Sequence, residues 1–228
     1  MRKKGFSLVE MLVVLGIIAL LSAILLPIFK GLREQVYKHQ CMSNLQKIYH
    51  ALRMYYLDTG TYPERLSELH GEGLPELIDM GYNNTPVDPD FAKSIISRRG
   101  IYPIFSSEFH CSANIDHEKP IIKSGNQYFI DPIYFNYDSI DPILGIPTYA
   151  RVRTNDTSDP NFNKQLYAKE PLSSTVITWC YAHRDLNPDG TPRFGSKDIV
   201  LFLDGHTEVR ETSEVLQAYG WLIQPRRR

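Results

Sequence analysis

Residues 1–29 read MRKKGFSLVEMLVVLGIIALLSAILLPIF, a basic cluster followed by a long apolar run. No charged side chain occurs within residues 11–29. A helix over residues 6–29 would be about 36 Å long, whereas the hydrocarbon core of a bilayer is about 30 Å thick. The sequence therefore predicts a membrane-spanning helix over residues 6–29, and the basic residues before it predict a cytoplasmic N-terminus.

Glu10 places a carboxylate near the start of this apolar helix. An ionised carboxylate inside a bilayer costs roughly 2–4 kcal/mol, which makes Glu10 a candidate functional residue. The alternative is that Glu10 lies at the membrane interface close to Lys3 and Lys4, where its charge costs little. Pro27 lacks a backbone N–H and predicts a bend near the end of the apolar run.

The motif GFSLVE at residues 5–10, after a short basic leader, resembles the processing site of type IV prepilins and type II secretion pseudopilins. In that family a prepilin peptidase cleaves after the glycine and N-methylates the new first residue. The resemblance implies a leader of residues 1–5, cleavage after Gly5 and methylation of Phe6. Pro27 also falls where the family commonly has a helix-kinking proline.

The same resemblance implies that the chain is a structural subunit of a filament. Glu10 would pair with the N-terminal ammonium of Phe6 on a neighbouring subunit and so set the assembly register, because a buried ion pair forms at only one offset. The implied partners are prepilin peptidase, an inner-membrane assembly platform and copies of itself or other pilins.

After the apolar run, hydrophobic residues continue on one side of a helix, at Leu45, Ile48, Leu52 and Tyr55. The sequence Asp-Thr-Gly at residues 58–60 indicates where the helix stops. The prediction is one helix from about residue 6 to about residue 57. Its second half, residues 30–57, belongs to a globular domain of residues 30–228. The Gly-Thr-Tyr-Pro at residues 60–63 resembles a turn that follows the long helix of major pseudopilins.

Three segments near the C-terminus are rich in β-branched and aromatic residues, which predicts antiparallel strands over residues 174–182, 198–203 and 207–210. Asp204-Gly205 is a hairpin turn signal between the last two. Frequent prolines between residues 63 and 171 predict loops with short strands, including residues 121–135. The fold class is therefore α+β, a long N-terminal helix packed on a mainly antiparallel sheet, as the pilin-like resemblance also implies.

Asp185, Asn187, Asp189 and Gly190 have the spacing of a calcium-binding loop. The glutamate expected at its twelfth position is replaced by Ser196, so Asp198 is the candidate for the missing ligand. A plain hairpin turn is the alternative. Calcium is the one cofactor that the sequence indicates.

The cysteines, Cys41, Cys111 and Cys180, are widely spaced. If the domain is exported, a Cys111–Cys180 disulfide is one possibility, and three buried free thiols are the other. His110 and His183 would join Cys111 and Cys180 in a metal site only if the fold brought them together.

No catalytic motif is present in the sequence, which predicts that the chain is not an enzyme.

The net charge of -1 over 228 residues gives no electrostatic reason to expect nucleic-acid binding.

The sequence favours a single-pass precursor in the bacterial inner membrane that is processed into a cell-surface or periplasmic filament, either a type IV pilus or a type II secretion pseudopilus. A membrane-anchored surface-binding protein that never polymerises is the alternative, and a tethered enzyme is a weaker one.

Overall fold

The computed structural model describes residues 8–226, and within residues 25–30 it describes only the backbone. Gly5 and Phe6 lie outside the described residues. The chain divides into two compact units, Met1–Tyr37 and Lys38–Arg228, and each is described by itself below.

The dominant element is helix α1, Leu8–Thr59, which contributes residues to both units. It ends at Gly60, whose φ of 76° is a conformation that glycine adopts readily. The amide of Gly60 donates to the carbonyl of Tyr56 over 2.8 Å, which closes the last turn. The predicted stop at residues 58–60 is therefore confirmed.

In the first unit, every side chain that the structure describes over residues 8–24 is exposed. Among the described residues, no helix combines the length and the apolarity needed to cross a membrane.

In the second unit, α1 presents one apolar side to the core. Cys41, Leu45, Ile48 and Leu52 are all fully buried, in agreement with the one-sided pattern read from the sequence. Leu57, on the other side of the helix, is 76% exposed. The predicted amphipathic character of this half of the helix is confirmed.

The rest of the second unit contains short elements joined by loops and 3₁₀ turns. The helices after α1 are α2, Leu74–Tyr82; α3, Pro89–Ser97; and α4, Thr212–Gln217. The strands are β1, Ile121–Ser124; β2, Gln127–Ile130; β3, Val176–Cys180; β4, Lys197–Phe202; and β5, Thr207–Glu211. The α+β class and the three C-terminal strands match the prediction.

Both sheets are antiparallel. β1 pairs with β2, and the other sheet has the strand order β3-β4-β5. In the larger sheet, Trp179 pairs with Val200 and Cys180 pairs with Ile199. Side chains alternate between the two faces of a strand, so Cys180 and Ile199 join the core that contains α1, whereas Trp179 and Val200 pack in a second cluster. The sheet thereby places Cys180 in the same core as Cys41.

Candidate functional site

The residues of the processing motif are only partly covered by the structure. Gly5 and Phe6 are not described, and Glu10 lies in the first turn of α1. The backbone remains helical through Pro27, whose side chain is not described. Cleavage, methylation, register setting and the bend at Pro27 therefore stay predictions.

The surface of α1 over residues 11–24 carries no charged side chain and is apolar on every side. Leu12, Val13, Val14 and Leu15 are consecutive and expose between 48% and 62% of their surface. Consecutive helical residues point about 100° apart, so these four side chains cover the whole circumference. Soluble monomers rarely expose continuous apolar patches of this kind. A helix surface of this composition is typical of one that lipid or other protein chains cover.

A second candidate site lies inside the globular unit, where four potential metal ligands converge. Cys41 on α1, Cys111 in a loop, Cys180 at the end of β3 and His183 just after it have ligand atoms that all lie within 4.8 Å of one another. The three cysteines are buried and are free thiols, so no disulfide joins Cys111 to Cys180 in this structure. His183 is half-buried.

Polar neighbours hold this cluster in place. The Sγ of Cys111 lies 3.4 Å from the Nε2 of His183, and the Tyr137 hydroxyl donates to the Sγ of Cys41 over 3.1 Å. The backbone amide of Cys111 donates to the Oδ1 of Asn136 over 2.8 Å, which fixes the loop that carries the thiol.

The thiols differ in acidity because they share hydrogen bonds. Hydrogen bonds from Cys180 and Cys41 lower the pKa of the Cys111 thiol far below its usual value. Burial raises the pKa of Cys41 and of Cys180. The cluster therefore favours thiolate character at Cys111 first.

His110 takes no part in the cluster, although the sequence places it beside Cys111. Its Nδ1 donates to the carbonyl of Tyr134 over 2.9 Å, and its ring stacks on that of Tyr134 with centroids 4.1 Å apart. Of the four residues that the sequence analysis considered as metal ligands, three lie together in the structure. Cys41 takes the place of His110 as the fourth. No local signal pointed to Cys41, because its partners lie about 70 and 140 residues further along the chain.

The predicted calcium loop has the geometry of a hairpin turn. Asp189 Oδ1 accepts hydrogen bonds from the amide and hydroxyl of Thr191 over 2.9 and 2.6 Å, and Asn187 Nδ2 donates to the Thr191 hydroxyl. Asp198 does not approach these groups as a free ligand. It is fully buried on β4, where Arg184 binds its carboxylate. The Asp198 carboxylate is thus bound by Arg184 and by the hydroxyl of Thr212, and calcium binding by the loop stays a prediction.

The hairpin turn between β4 and β5 lies against α1. Gly205 has a φ of 88°, and the side chain of Gln46 donates to its carbonyl over 2.6 Å. His206 Nδ1 pairs with Asp204, and its ring stacks on Phe202 with centroids 4.5 Å apart. These contacts account for the turn sequence without a ligand.

Comparison with known proteins identifies the N-terminal segment. A family model described as the prokaryotic N-terminal methylation motif matches residues 1–26. The type II secretion system core protein G of Escherichia coli (strain K12) is 32% identical over 78 residues, 34% of this chain and 50% of that protein. The protein of the same name from Pectobacterium carotovorum subsp. carotovorum is 34% identical over 87 residues, 38% of this chain and 56% of that protein.

A further relative is the type IV wide pilus major component PilA4 of Thermus thermophilus, 31% identical over 94 residues, 41% of this chain and 64% of that protein. The chain thus spans about half the length of the curated relatives that it matches first. No solved structure is a significant match. The N-terminus carries a prepilin-type methylation motif, and these relatives are named as components of a secretion system and of a pilus.

Proposed function

We propose that this chain is a structural subunit of a type IV pilus or type II secretion pseudopilus filament. It is made as a membrane-anchored prepilin, cleaved after Gly5 and N-methylated on Phe6. The observation that carries the proposal is the apolar, uncovered surface of α1 over residues 8–24, in a chain whose residues 1–26 match the methylation motif.

The physical reason is the free energy of burying that surface. Moving one Leu, Ile or Val side chain out of water is worth about 1.5–3 kcal/mol, and residues 8–24 contain many of them. Lipid covers this surface in the precursor, and the same helix of neighbouring subunits covers it in the filament. One segment therefore serves as both membrane anchor and assembly element.

Hydrophobic contact is not directional, so stacked apolar helices need a second interaction to set their axial offset. The Glu10 carboxylate supplies it by pairing with the N-terminal ammonium of Phe6 on a neighbouring subunit, since that pair forms at only one offset.

The partners in this proposal are prepilin peptidase, an inner-membrane assembly platform and other pilin-like subunits. The precursor lies in the inner membrane with its N-terminus in the cytoplasm, because Arg2, Lys3 and Lys4 precede the apolar segment.

The processing step is tested by the intact mass and the N-terminal peptide mass of protein from the native host. The expected mature chain begins with N-methylated Phe6. The matched control is a host strain without prepilin peptidase, in which the chain should keep Met1. An uncut Met1 start in cells with an active peptidase would contradict the proposal and leave a signal-anchored surface protein.

The assembly step is tested by Glu10→Ala, with Glu34→Ala as the control because Glu34 is an exposed carboxylate elsewhere on α1. Both variants should be cleaved, and only Glu10→Ala should fail to enter sheared filaments. If Glu10→Ala assembles as well as the wild type, the register role is wrong. If no filament forms even with the wild-type chain, a membrane-anchored surface-binding protein is the better assignment.

A further inference from the structure

We propose that Cys41, Cys111, Cys180 and His183 bind one zinc ion as a closed structural site. All four ligands lie in the globular unit that begins at Lys38, outside the segment that matches the methylation motif.

The geometry of the four ligand atoms fits a tetrahedral zinc ion. Zinc binds thiolates at about 2.3 Å and imidazole nitrogens at about 2.0–2.1 Å, which puts neighbouring ligand atoms roughly 3.4–3.8 Å apart. The Cys111 Sγ and His183 Nε2 are 3.4 Å apart. All the ligand atoms lie within 4.8 Å of one another, so closing the site needs movements of no more than about 1 Å.

The chemistry of the ligands selects the metal class. Three thiolates and one imidazole suit Zn²⁺, whereas calcium and magnesium require oxygen ligands. Four protein ligands complete a tetrahedron and leave no open position for substrate, which is typical of structural rather than catalytic zinc. His183, the one ligand that is partly exposed, marks the side from which the ion enters.

The surroundings also suit bound thiolates. The Tyr137 hydroxyl donates to Cys41 Sγ, and such outer hydrogen bonds stabilise the negative charge of a metal-bound sulfur. Zinc displaces the thiol protons, so its binding releases protons. The charge of the bound ion then stabilises the buried thiolates.

The site would connect three distant parts of the chain. α1 supplies Cys41, the loop-rich middle supplies Cys111, and the end of the larger sheet supplies Cys180 and His183. The middle has little regular secondary structure to hold it, so a metal that joins it to the helix and the sheet adds stability by closing long loops.

The competing state is a Cys111–Cys180 disulfide, which an exported domain in an oxidising compartment would favour. It would leave Cys41 and His183 with no shared partner. The two states are chemically distinct, since one contains a metal ion and three reduced sulfurs and the other contains one free thiol.

The test uses the full-length chain in detergent, reduced and freed of metal with a chelator, and titrated with Co²⁺. We expect one equivalent to bind and to give the absorption of tetrahedral, thiolate-ligated cobalt, which one equivalent of Zn²⁺ then abolishes. His183→Gln should alter the cobalt spectrum and lower the Zn²⁺ affinity by at least about tenfold. His50→Gln, at an exposed histidine on α1, should leave both unchanged.

Octahedral cobalt absorption, binding without a thiolate band, or equal behaviour of the His183 and His50 variants would overturn the proposal. The wild-type spectrum is decisive even if a variant fails to fold. Metal analysis and thiol alkylation of protein from the native host give the second measurement: zinc with three alkylatable cysteines supports the site, and a metal-free chain with a Cys111–Cys180 bridge refutes it.

Discussion

Arg184 and Asp198 form a doubly hydrogen-bonded ion pair in the protein interior. Arg184 Nε lies 2.8 Å from Asp198 Oδ1, and Arg184 Nη2 lies 2.6 Å from Asp198 Oδ2. Asp141 binds the other edge of the same guanidinium at 2.8 and 2.7 Å. The exposed fraction of the Arg184 side chain is 2%, and that of both aspartates is 0%. One cation thus binds two buried carboxylates, so the cluster keeps a net charge of −1 when both are ionised.

Replacing Arg184 with Met should destabilise the domain strongly. The change leaves two buried carboxylates without a counter-charge, and breaking a buried ion pair in this way costs about 3–5 kcal/mol. Urea unfolding of the full chain, followed by near-ultraviolet circular dichroism, measures the loss. Arg193→Met is the control, because Arg193 is exposed on the adjacent turn and should change stability by less than about 0.5 kcal/mol. Equal effects would show that the ion pair is not what stabilises this region.

The close approach of Gly205 to α1 gives a second prediction. A Cβ at Gly205 would lie 2.7 Å from the Tyr49 ring, whereas a Cβ at Gly190 would meet nothing within 4 Å. Both glycines have a positive φ, at 88° and 81°, so alanine causes similar backbone strain at either position. Gly205→Ala should therefore cost about 1–3 kcal/mol more than Gly190→Ala, which is the typical cost of overpacking. Thermal unfolding of the two variants side by side would reveal the difference, and identical melting would contradict the contact.

His70 should make the stability depend on pH. Its imidazole is 1% exposed, and its Nε2 donates to the carbonyl of Arg98 over 2.6 Å. Burial lowers the pKa of His70 below its usual 6.5. The neutral ring therefore contributes stability that is present above about pH 6.5 and is lost as the pH falls through that value towards the pKa of the folded state.

His70→Gln keeps a side-chain donor for the Arg98 carbonyl and has no group that titrates. The free energy of unfolding should fall less steeply with acidification in this variant than in the wild type. His50→Gln, at an exposed histidine, should retain the wild-type slope. Because contributions from other groups are common to all three chains, parallel curves for the wild type and His70→Gln would refute this assignment.

The one-sided packing of α1 in the globular unit is tested by a pair of identical substitutions. Leu52 is fully buried, and Leu57 is 76% exposed on the same helix. Leu52→Ala should lower the free energy of unfolding by about 2–5 kcal/mol, since it leaves a cavity. Leu57→Ala should change it by less than about 0.5 kcal/mol. Chemical denaturation measures both, and similar losses would mean that this helix does not pack as described.

Much of the fold could be predicted because it depends on residues that are close together in the sequence. The end of α1, the strands β3 to β5 and the turn at Gly205 follow from side-chain period and from glycine at a positive φ. Helix α3 was not predicted, although Asp88 caps its N-terminus through the amides of Asp90 and Phe91 and Pro89 begins it. Those two residues are a recognised start signal that the many nearby prolines obscured.

The sequence by itself determined that an apolar segment with a prepilin-type processing motif precedes an α+β domain. Each of these properties depends on residues close together in the chain. Only the tertiary structure decided that Asp198 binds Arg184 instead of the Asp185 loop, and that Cys41 meets Cys111, Cys180 and His183. Such contacts depend on which face of each strand and helix is buried and on how loops of about 70 residues close, and neither is encoded in the spacing of residues along the chain.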